Sequence, residues 1–288
     1  MLSSLVELAT AARDAGVGLG AFNVIHLEHA TAFVRAAERA GRPVVLQISE
    51  NAVKYHGGNL APIGLAMLAV ARAATIPIAV HLDHAEDVEL VRRAVALGFS
   101  SVMYDGSRLP DEENLEMTRG VAGICHAAGV DVEAELGEVG GKNGVHDPDA
   151  RTGPADAARF VLDTGVDLLA VAVGSSHAMT ARDARLDGDL ISRIRAAVPV
   201  PLVLHGSSGV SDVGMQAAIR AGMTKINVST HLNQVFTNSV RETLSANPSM
   251  VDSRKWLGPA RATVEDEAFR LLRLYAFDRS PSTSKSTA

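Results

Sequence analysis

Short apolar segments recur eight times along the chain, and amphipathic helical patterns lie between them. Each segment is apolar or β-branched almost throughout and is bounded by glycine, proline or polar residues, which is typical of strands buried on both faces. The segments are residues 19–24, 43–49, 77–82, 100–104, 130–136, 168–173, 201–204 and 225–228. Strands that alternate with helices pair in parallel through right-handed crossovers, and eight such units close a (β/α)8 barrel, the TIM barrel.

The alternative is a doubly wound open sheet, which is disfavoured because no glycine-rich phosphate fingerprint follows the first predicted strand. The sequence therefore predicts an α/β fold with one TIM-barrel domain over residues 1–277. Residues 232–277 exceed one barrel helix and are predicted to form the eighth helix and a C-terminal helical extension. Breaks are expected at Asn247-Pro248 and Gly258-Pro259, and the Ser/Thr/Pro/Lys-rich residues 278–288 are expected to be a disordered tail.

The composition of the chain argues against several classes of function. A chain of 288 residues that is 47% hydrophobic suits one barrel domain with a large core. The net charge of -6, without a run of basic residues, argues against a nucleic-acid surface. Cys125 is the single cysteine, which excludes an intrachain disulfide. The first residues lack the pattern of a signal peptide, and no apolar run approaches the roughly 20 residues of a membrane span, so a cytoplasmic protein with no membrane partner is predicted.

Polar residues stand at the end of every predicted strand. In a TIM barrel the functional groups lie at these carboxyl ends. The residues are Asn23, Ser49, Asp83, His84, Asp105, Glu133, Glu135, Ser175, His177, His205, Asn227 and Ser229. A barrel that served only as a scaffold would not need a polar group at every strand, so the sequence predicts a polar ligand.

Three of these strand ends supply a histidine, namely His84, His177 and His205. Three neutral imidazoles with an open fourth position form a catalytic zinc site, whereas a single histidine is more often structural. Glu135 is expected to be a further ligand or to orient one. Asp83 directly precedes His84, where a carboxylate can exchange a proton with a substrate hydroxyl near the metal; a salt bridge or a helix cap is the alternative role.

Small residues after the seventh and eighth strands suggest a phosphate site. Gly206, Ser208 and Gly209 expose backbone N–H groups. Ser229 and Thr230 can cap the following helix, whose N-terminus favours an anion. An ordinary tight turn is the alternative for the glycine and serine residues.

Six segments in collinear order resemble the class II fructose/tagatose-bisphosphate aldolases. They are residues 20–23 (GAFN), 81–84 (HLDH), 132–137 (VEAELG), 174–177 (GSSH), 204–209 (LHGSSG) and 225–228 (KINV). The likeness runs from about residue 5 to residue 275 and includes residues 252–261 (DSRKWLGPAR). Six ordered motifs are far more specific than any one of them.

The resemblance implies a zinc ion, frequently with a monovalent cation (Na+ or K+), in a homodimer or homotetramer. It implies reversible cleavage of fructose or tagatose 1,6-bisphosphate to dihydroxyacetone phosphate (DHAP) and an aldehyde such as glyceraldehyde 3-phosphate. His84, His177 and His205 match the zinc ligands, Glu135 a carboxylate close to the metal, and Asp83 the acid/base on the C4 hydroxyl. The residues that match family positions at the substrate or its phosphate are Asn23, Ser49, Gly206, Ser208, Asn227 and Thr230.

Three departures from the family pattern affect these expectations. Residues 142–144 are Lys-Asn-Gly where the family has acidic loop residues, so the group that deprotonates DHAP is not identified, and Asp147 and Asp149 are candidates. Ala178 replaces a glycine. Arg182 stands where a lysine commonly binds phosphate, and its guanidinium can bind phosphate in bidentate fashion.

Four other functions stay open from the sequence. The chain can be an aldolase for another phosphorylated sugar acid, or a non-catalytic paralogue that binds sugar phosphates, since the loop acid is missing. A metallohydrolase would use the same histidines to activate water. A Schiff-base aldolase would need Lys225. The cation for the distal phosphate is not assigned, with Arg254, Arg261 or a residue from another subunit as candidates.

Overall fold

A closed eight-stranded parallel barrel forms the centre of the computed structural model, which describes residues 1–137, 151–175, 182 and 184–278. Its strands pair in sequence order, and β8 pairs with β1. They are β1 (Leu19–Asn23), β2 (Val44–Ser49), β3 (Ile78–Ala85), β4 (Ser101–Tyr104), β5 (Asp131–Leu136), β6 (Leu168–Val171), β7 (Leu202–Leu204) and β8 (Met223–Val228). The predicted TIM barrel is confirmed.

Helices alternate with the strands and surround the barrel. They are α1 (Leu5–Asp14), α2 (Leu27–Ala40), α3 (Glu50–Tyr55), α4 (Ala61–Ala73), α5 (Val88–Leu97), α6 (Asp111–Ala127), α7 (Pro154–Thr164), α8 (Gly188–Ala197), α9 (Asp212–Ala221), α10 (Thr230–Ala246) and α11 (Arg254–Tyr275). Across the described part of the chain, no helix has the length and apolarity that crossing a bilayer requires.

Two apolar layers hold the barrel together. Inside it, small and branched side chains such as Ala21, Val45 and Ala170 pack with Leu5 and Ala9 of α1, which closes the amino-terminal end. A larger cluster fills the space between the sheet and the surrounding helices. With the amino-terminal end closed, the carboxyl ends of the strands are the open end of the barrel.

The C-terminal helices differ from prediction at one point. Helix α10 ends at Ala246, directly before Asn247-Pro248 as expected. Helix α11 continues through Gly258-Pro259, where a break was predicted. Pro259 lies in the second turn of the helix, so it removes a single backbone hydrogen bond, and burial of Ala260, Val264 and Ala268 outweighs that loss.

Candidate metal and substrate site

An open cavity of about 200 Å³ lies at the carboxyl ends of strands β1, β2, β3, β7 and β8. Most of the residues predicted for substrate binding line it together. The lining residues are Asn23, Ser49, Asn51, Asp83, His84, Gly206, Ser207, Ser208, Asn227, Ser229 and Thr230. Asn51 and Ser207 also line the cavity but were not among the predicted site residues, although Ser207 lies between Gly206 and Ser208, which were.

Two of the predicted metal ligands approach each other beside Asp83. Ligand atoms of Asp83, His84 and His205 lie within 4.8 Å of one another, and those of His84, Asp105 and Glu135 form a second such group. The imidazole rings of His84 and His205 have centroids 4.5 Å apart. His84 has a φ angle of 50°, a left-handed backbone that is uncommon outside glycine and concentrates at functional sites.

Carboxylates hold both imidazoles. Nδ1 of His84 lies 2.7 Å from Asp105, which also accepts a hydrogen bond from the Ser107 hydroxyl. His205 is fully buried, with Nδ1 2.8 Å from Glu135 and Nε2 3.0 Å from Glu133. Burial alone would lower the pKa of His205, but hydrogen bonds to the two carboxylates outweigh burial and raise this pKa to about 9.

This set of donors fits a divalent transition metal. Imidazole nitrogens and carboxylate oxygens are zinc ligands, and a carboxylate on the second ring nitrogen, as on His84, orients a ligating histidine. The two carboxylates favour a proton on the His205 ring. A bound metal ion would take the place of that proton as the positive charge, and His205 would then be neutral. The third predicted histidine, His177, lies outside the described residues, as do Lys142, Asp147, Asp149 and Ala178.

Three side-chain amides donate hydrogen bonds to the Asp83 carboxylate. Asp83 is 3% exposed, and its Oδ2 accepts hydrogen bonds from Asn23 (3.1 Å) and from Gln47 (3.4 Å). Its Oδ1 accepts one from Asn227 at 3.3 Å. Burial raises the pKa of Asp83, but electrostatic interactions with His84, Lys225 and further neighbours outweigh burial and leave the pKa below its ordinary value. Asp83 is therefore a carboxylate that can accept a proton.

A buried layer of charge lies beneath Asp83. Lys225 donates to Asn227 at 2.8 Å and forms an ion pair with Glu133 at 2.8 Å, and both charged side chains are fully buried. Burial and the nearby Lys225 lower the pKa of His81 to about 3, while Lys225 holds the pKa of Glu133 below its usual range against the effect of burial. Because the Lys225 amine is held by Glu133, this geometry does not favour a Schiff base.

The loops after β7 and β8 form the opposite wall of the cavity. Gly206 has a φ angle of 65°, and Ser207 donates to the carbonyl oxygen of Asn227. The Ser208 hydroxyl accepts from the backbone N–H of His231 at 3.2 Å. Ser229 is the N-cap residue of α10, but its side chain makes no capping hydrogen bond. This 17-residue helix begins at the cavity wall.

The predicted phosphate ligand Arg182 does not line this cavity. Its guanidinium donates to the carbonyl oxygen of Val210 (2.7 and 2.9 Å) and to Asp212 (2.6 Å). Arg254 and Arg261 line a separate cavity of about 170 Å³ with Glu28. Arg182 lines a small neighbouring cavity together with Ser207 and Ser208, which also belong to the wall of the site.

The barrel and the donor set at its open end are typical of a metal-dependent enzyme. Residues 3–278 match the family model described as fructose-bisphosphate aldolase class-II. The chain is 40% identical to a fructose-bisphosphate aldolase of Thermus caldophilus, covering 96% of this chain and 98% of that protein. It is 36% identical to a probable fructose-bisphosphate aldolase of Bacillus subtilis (strain 168), covering 94% and 96% of the two chains.

A solved structure shows the same similarity in three dimensions. The YdjI aldolase from Escherichia coli K12 superposes with a TM-score of 0.84 at 31% identity, covering 96% of this chain and 98% of that chain. The chain belongs to the class II fructose-bisphosphate aldolase family. It is an aldehyde-lyase of a metal-dependent family, which confirms the resemblance and the reaction class predicted from the motifs.

Proposed function

We propose that this protein is a zinc-dependent aldolase that reversibly cleaves fructose 1,6-bisphosphate to DHAP and glyceraldehyde 3-phosphate. The observation that supports it best is the meeting of Asp83, His84 and His205, whose ligand atoms lie within 4.8 Å of one another. Fructose-bisphosphate aldolase is also the name of the relatives that are 40% and 38% identical to this chain. Tagatose 1,6-bisphosphate differs only at C4 and is the alternative substrate.

The chemistry requires a proton acceptor at the C4 hydroxyl and a sink for negative charge at C3. Zinc held by His84 and His205 would supply Lewis acidity toward the substrate carbonyl. Asp83 removes the proton from the C4 hydroxyl, the C3–C4 bond breaks, and C4 becomes the aldehyde carbon while C3 keeps the electron pair. Asn23, Gln47 and Asn227 keep Asp83 in place, because each donates a hydrogen bond to its carboxylate.

The phosphate of the DHAP half is assigned to the wall formed by Gly206, Ser208, Ser229 and Thr230. Two features support this assignment. The glycine backbone permits close approach of the ligand, and the N-terminus of α10 carries the partial positive charge of the helix dipole. Ser49 lies on the same cavity and is assigned to the substrate as well.

The remaining expectations belong to this proposal. His177 and Glu135 are further metal ligands, Arg182 is a phosphate ligand, and a Na+ or K+ ion assists substrate binding. The protein acts in the cytoplasm as a homodimer or homotetramer, with residues 1–277 as one domain. The likeness of the motifs to the class II aldolases supports these assignments.

Replacement of Asp83 by asparagine tests the proposed role most sharply. We expect Asp83→Asn to lower kcat for cleavage by about 10²- to 10⁴-fold, since general acid–base catalysis contributes this much. Zinc content and exchange of the DHAP C3 proton should change far less, because neither needs proton transfer at the C4 hydroxyl. Asp189→Asn, at an exposed position of α8, is the matched control. Near-normal cleavage by Asp83→Asn would overturn the assignment.

A further inference from the structure

The short helix α3 is fixed to the two neighbouring strand ends. At its N-terminus, Glu50 accepts hydrogen bonds from the backbone N–H groups of Glu86 (2.8 Å) and Asp87 (3.2 Å), just beyond strand β3. At its C-terminus, Nε2 of His56 donates to the carbonyl oxygen of Ile25, just beyond strand β1, at 2.7 Å. Helix α3 is therefore a rigid wall element between two strand ends that carry site residues.

Asn51 is presented by this fixed helix. Of the described residues that line the 200 Å³ cavity, Asn51 alone is exposed, which places it at the mouth. Its neighbours Ala52 and Val53 are buried and anchor the helix to the core. Within the part of the chain that the structure describes, no hydrogen bond uses the Asn51 carboxamide. A polar group held by a rigid element and left for a ligand is typical of a specificity contact.

Its position relative to Asp83 indicates which half of the substrate Asn51 meets. Ser49 is the register partner of Asp83, and Asn51 follows Ser49 by two residues. The proposed DHAP phosphate wall lies at β7 and β8, whereas Asn51 follows β2, next to the strand that carries Asp83. A ketose with its DHAP half at the phosphate wall and its C4 hydroxyl at Asp83 extends C5 toward the Asn51 side of the mouth.

We propose that Asn51 is a specificity-determining residue that recognises the hydroxyl group on C5, next to the aldehyde carbon of the product. A carboxamide can donate to and accept from a hydroxyl at once, whereas an ionised phosphate would use only its N–H groups. The preferred aldehydes are then 2-hydroxyaldehydes. This inference rests on the proposed function, since it assumes that Asp83 acts at C4.

The test is the condensation of DHAP with a matched pair of aldehydes by the zinc-loaded protein. Glyceraldehyde 3-phosphate carries the 2-hydroxyl, and 3-oxopropyl phosphate is the same molecule without it. We expect Asn51→Ala to lower kcat/KM for glyceraldehyde 3-phosphate about five- to tenfold, which is the value of one hydrogen bond between neutral groups, and to leave 3-oxopropyl phosphate unchanged. Exchange of the DHAP C3 proton should be unchanged, because no aldehyde takes part in it.

The control is Asn238→Ala, an exposed asparagine on α10 that does not line the cavity. It should leave both aldehydes unaffected. Equal losses for the two aldehydes in Asn51→Ala, or no loss for either, would overturn the role of Asn51 while leaving the aldolase assignment intact. If the wild-type protein condenses neither aldehyde with DHAP and cleaves no ketose bisphosphate, the proposed function fails and this inference fails with it.

Discussion

The buried ion pair between Lys225 and Glu133 gives a quantitative test of how the barrel interior supports the site. The two charged atoms are 2.8 Å apart, and neither side chain is exposed to solvent. Lys225→Met keeps most of the side-chain volume and removes the charge. The side-chain oxygen of Asn227 then loses its hydrogen bond from Lys225. His81 remains 3.7 Å from the Oε2 atom of Glu133.

The expected loss is large because the buried Glu133 carboxylate loses its lysine, which leaves His205 at 3.0 Å and His81 at 3.7 Å as its charged or polar neighbours. Removal of one member of a buried pair costs about 3–5 kcal/mol, whereas a surface pair is worth about 1 kcal/mol or less. We therefore expect the free energy of unfolding of Lys225→Met to fall by about 3–5 kcal/mol, measured by urea unfolding at pH 7 with an unchanged m-value.

The double variant separates the charge effect from lost packing. In Lys225→Met with Glu133→Gln, neither side chain carries a charge, so the combined loss should be smaller than the sum of the single losses by about 2–3 kcal/mol. Arg159→Met, whose exposed guanidinium lies 3.7 Å from Asp163 on α7, is the control and should cost about 1 kcal/mol or less. A loss below 1 kcal/mol for Lys225→Met, or strictly additive single losses, would refute this account of the barrel interior.

Two further predictions concern the stability of the folded protein. Hydrogen bonds from Arg270 and His231 outweigh burial and lower the pKa of Glu267 from 4.5 to about 2, so its stabilising effect is full above pH 4.5 and is lost as the pH falls toward 2. Glu267→Gln should therefore lower the free energy of unfolding by about 2 kcal/mol at pH 7. Below pH 4.5 the urea midpoint of the variant should approach that of the wild type. A difference in midpoint that stays constant with pH would contradict the pKa shift. Gly174→Ala should destabilise the protein by about 2 kcal/mol or more, because φ is 107° and the new Cβ would lie 2.6 Å from the Arg185 carbonyl oxygen; an unchanged melting temperature would contradict it.

The sequence predicted the barrel well because its signals are local. Glycine, proline and polar residues bound each apolar segment, so the predicted strand at residues 19–24 differs by one residue from Leu19–Asn23. The short helix α3 had no counterpart, since residues 50–55 are too few to show an apolar repeat. The predicted break at Gly258-Pro259 was wrong because packing of α11 against its neighbours decides that the helix continues.

The sequence predicted the site residues that stand at the ends of strands, but it did not predict the contacts between side chains of different strands. Asp83, His84 and His205 meet because their strands close one barrel. The pairing of Lys225 with Glu133 joins strands β8 and β5 across the interior, and no spacing in the sequence encodes that contact. Arg182 was predicted from the sequence as a cation for phosphate. The sequence did not show that Asp212 accepts a hydrogen bond from the same guanidinium, as it does in this structure.

Removal and return of the metal tests the central claim most directly. Cleavage of fructose 1,6-bisphosphate would be followed by coupled detection of DHAP, before EDTA, after EDTA and after zinc is restored. The account predicts activity that EDTA abolishes and zinc returns. Activity that survives EDTA but is lost on treatment with borohydride and substrate would contradict it and point to a Schiff base at Lys225.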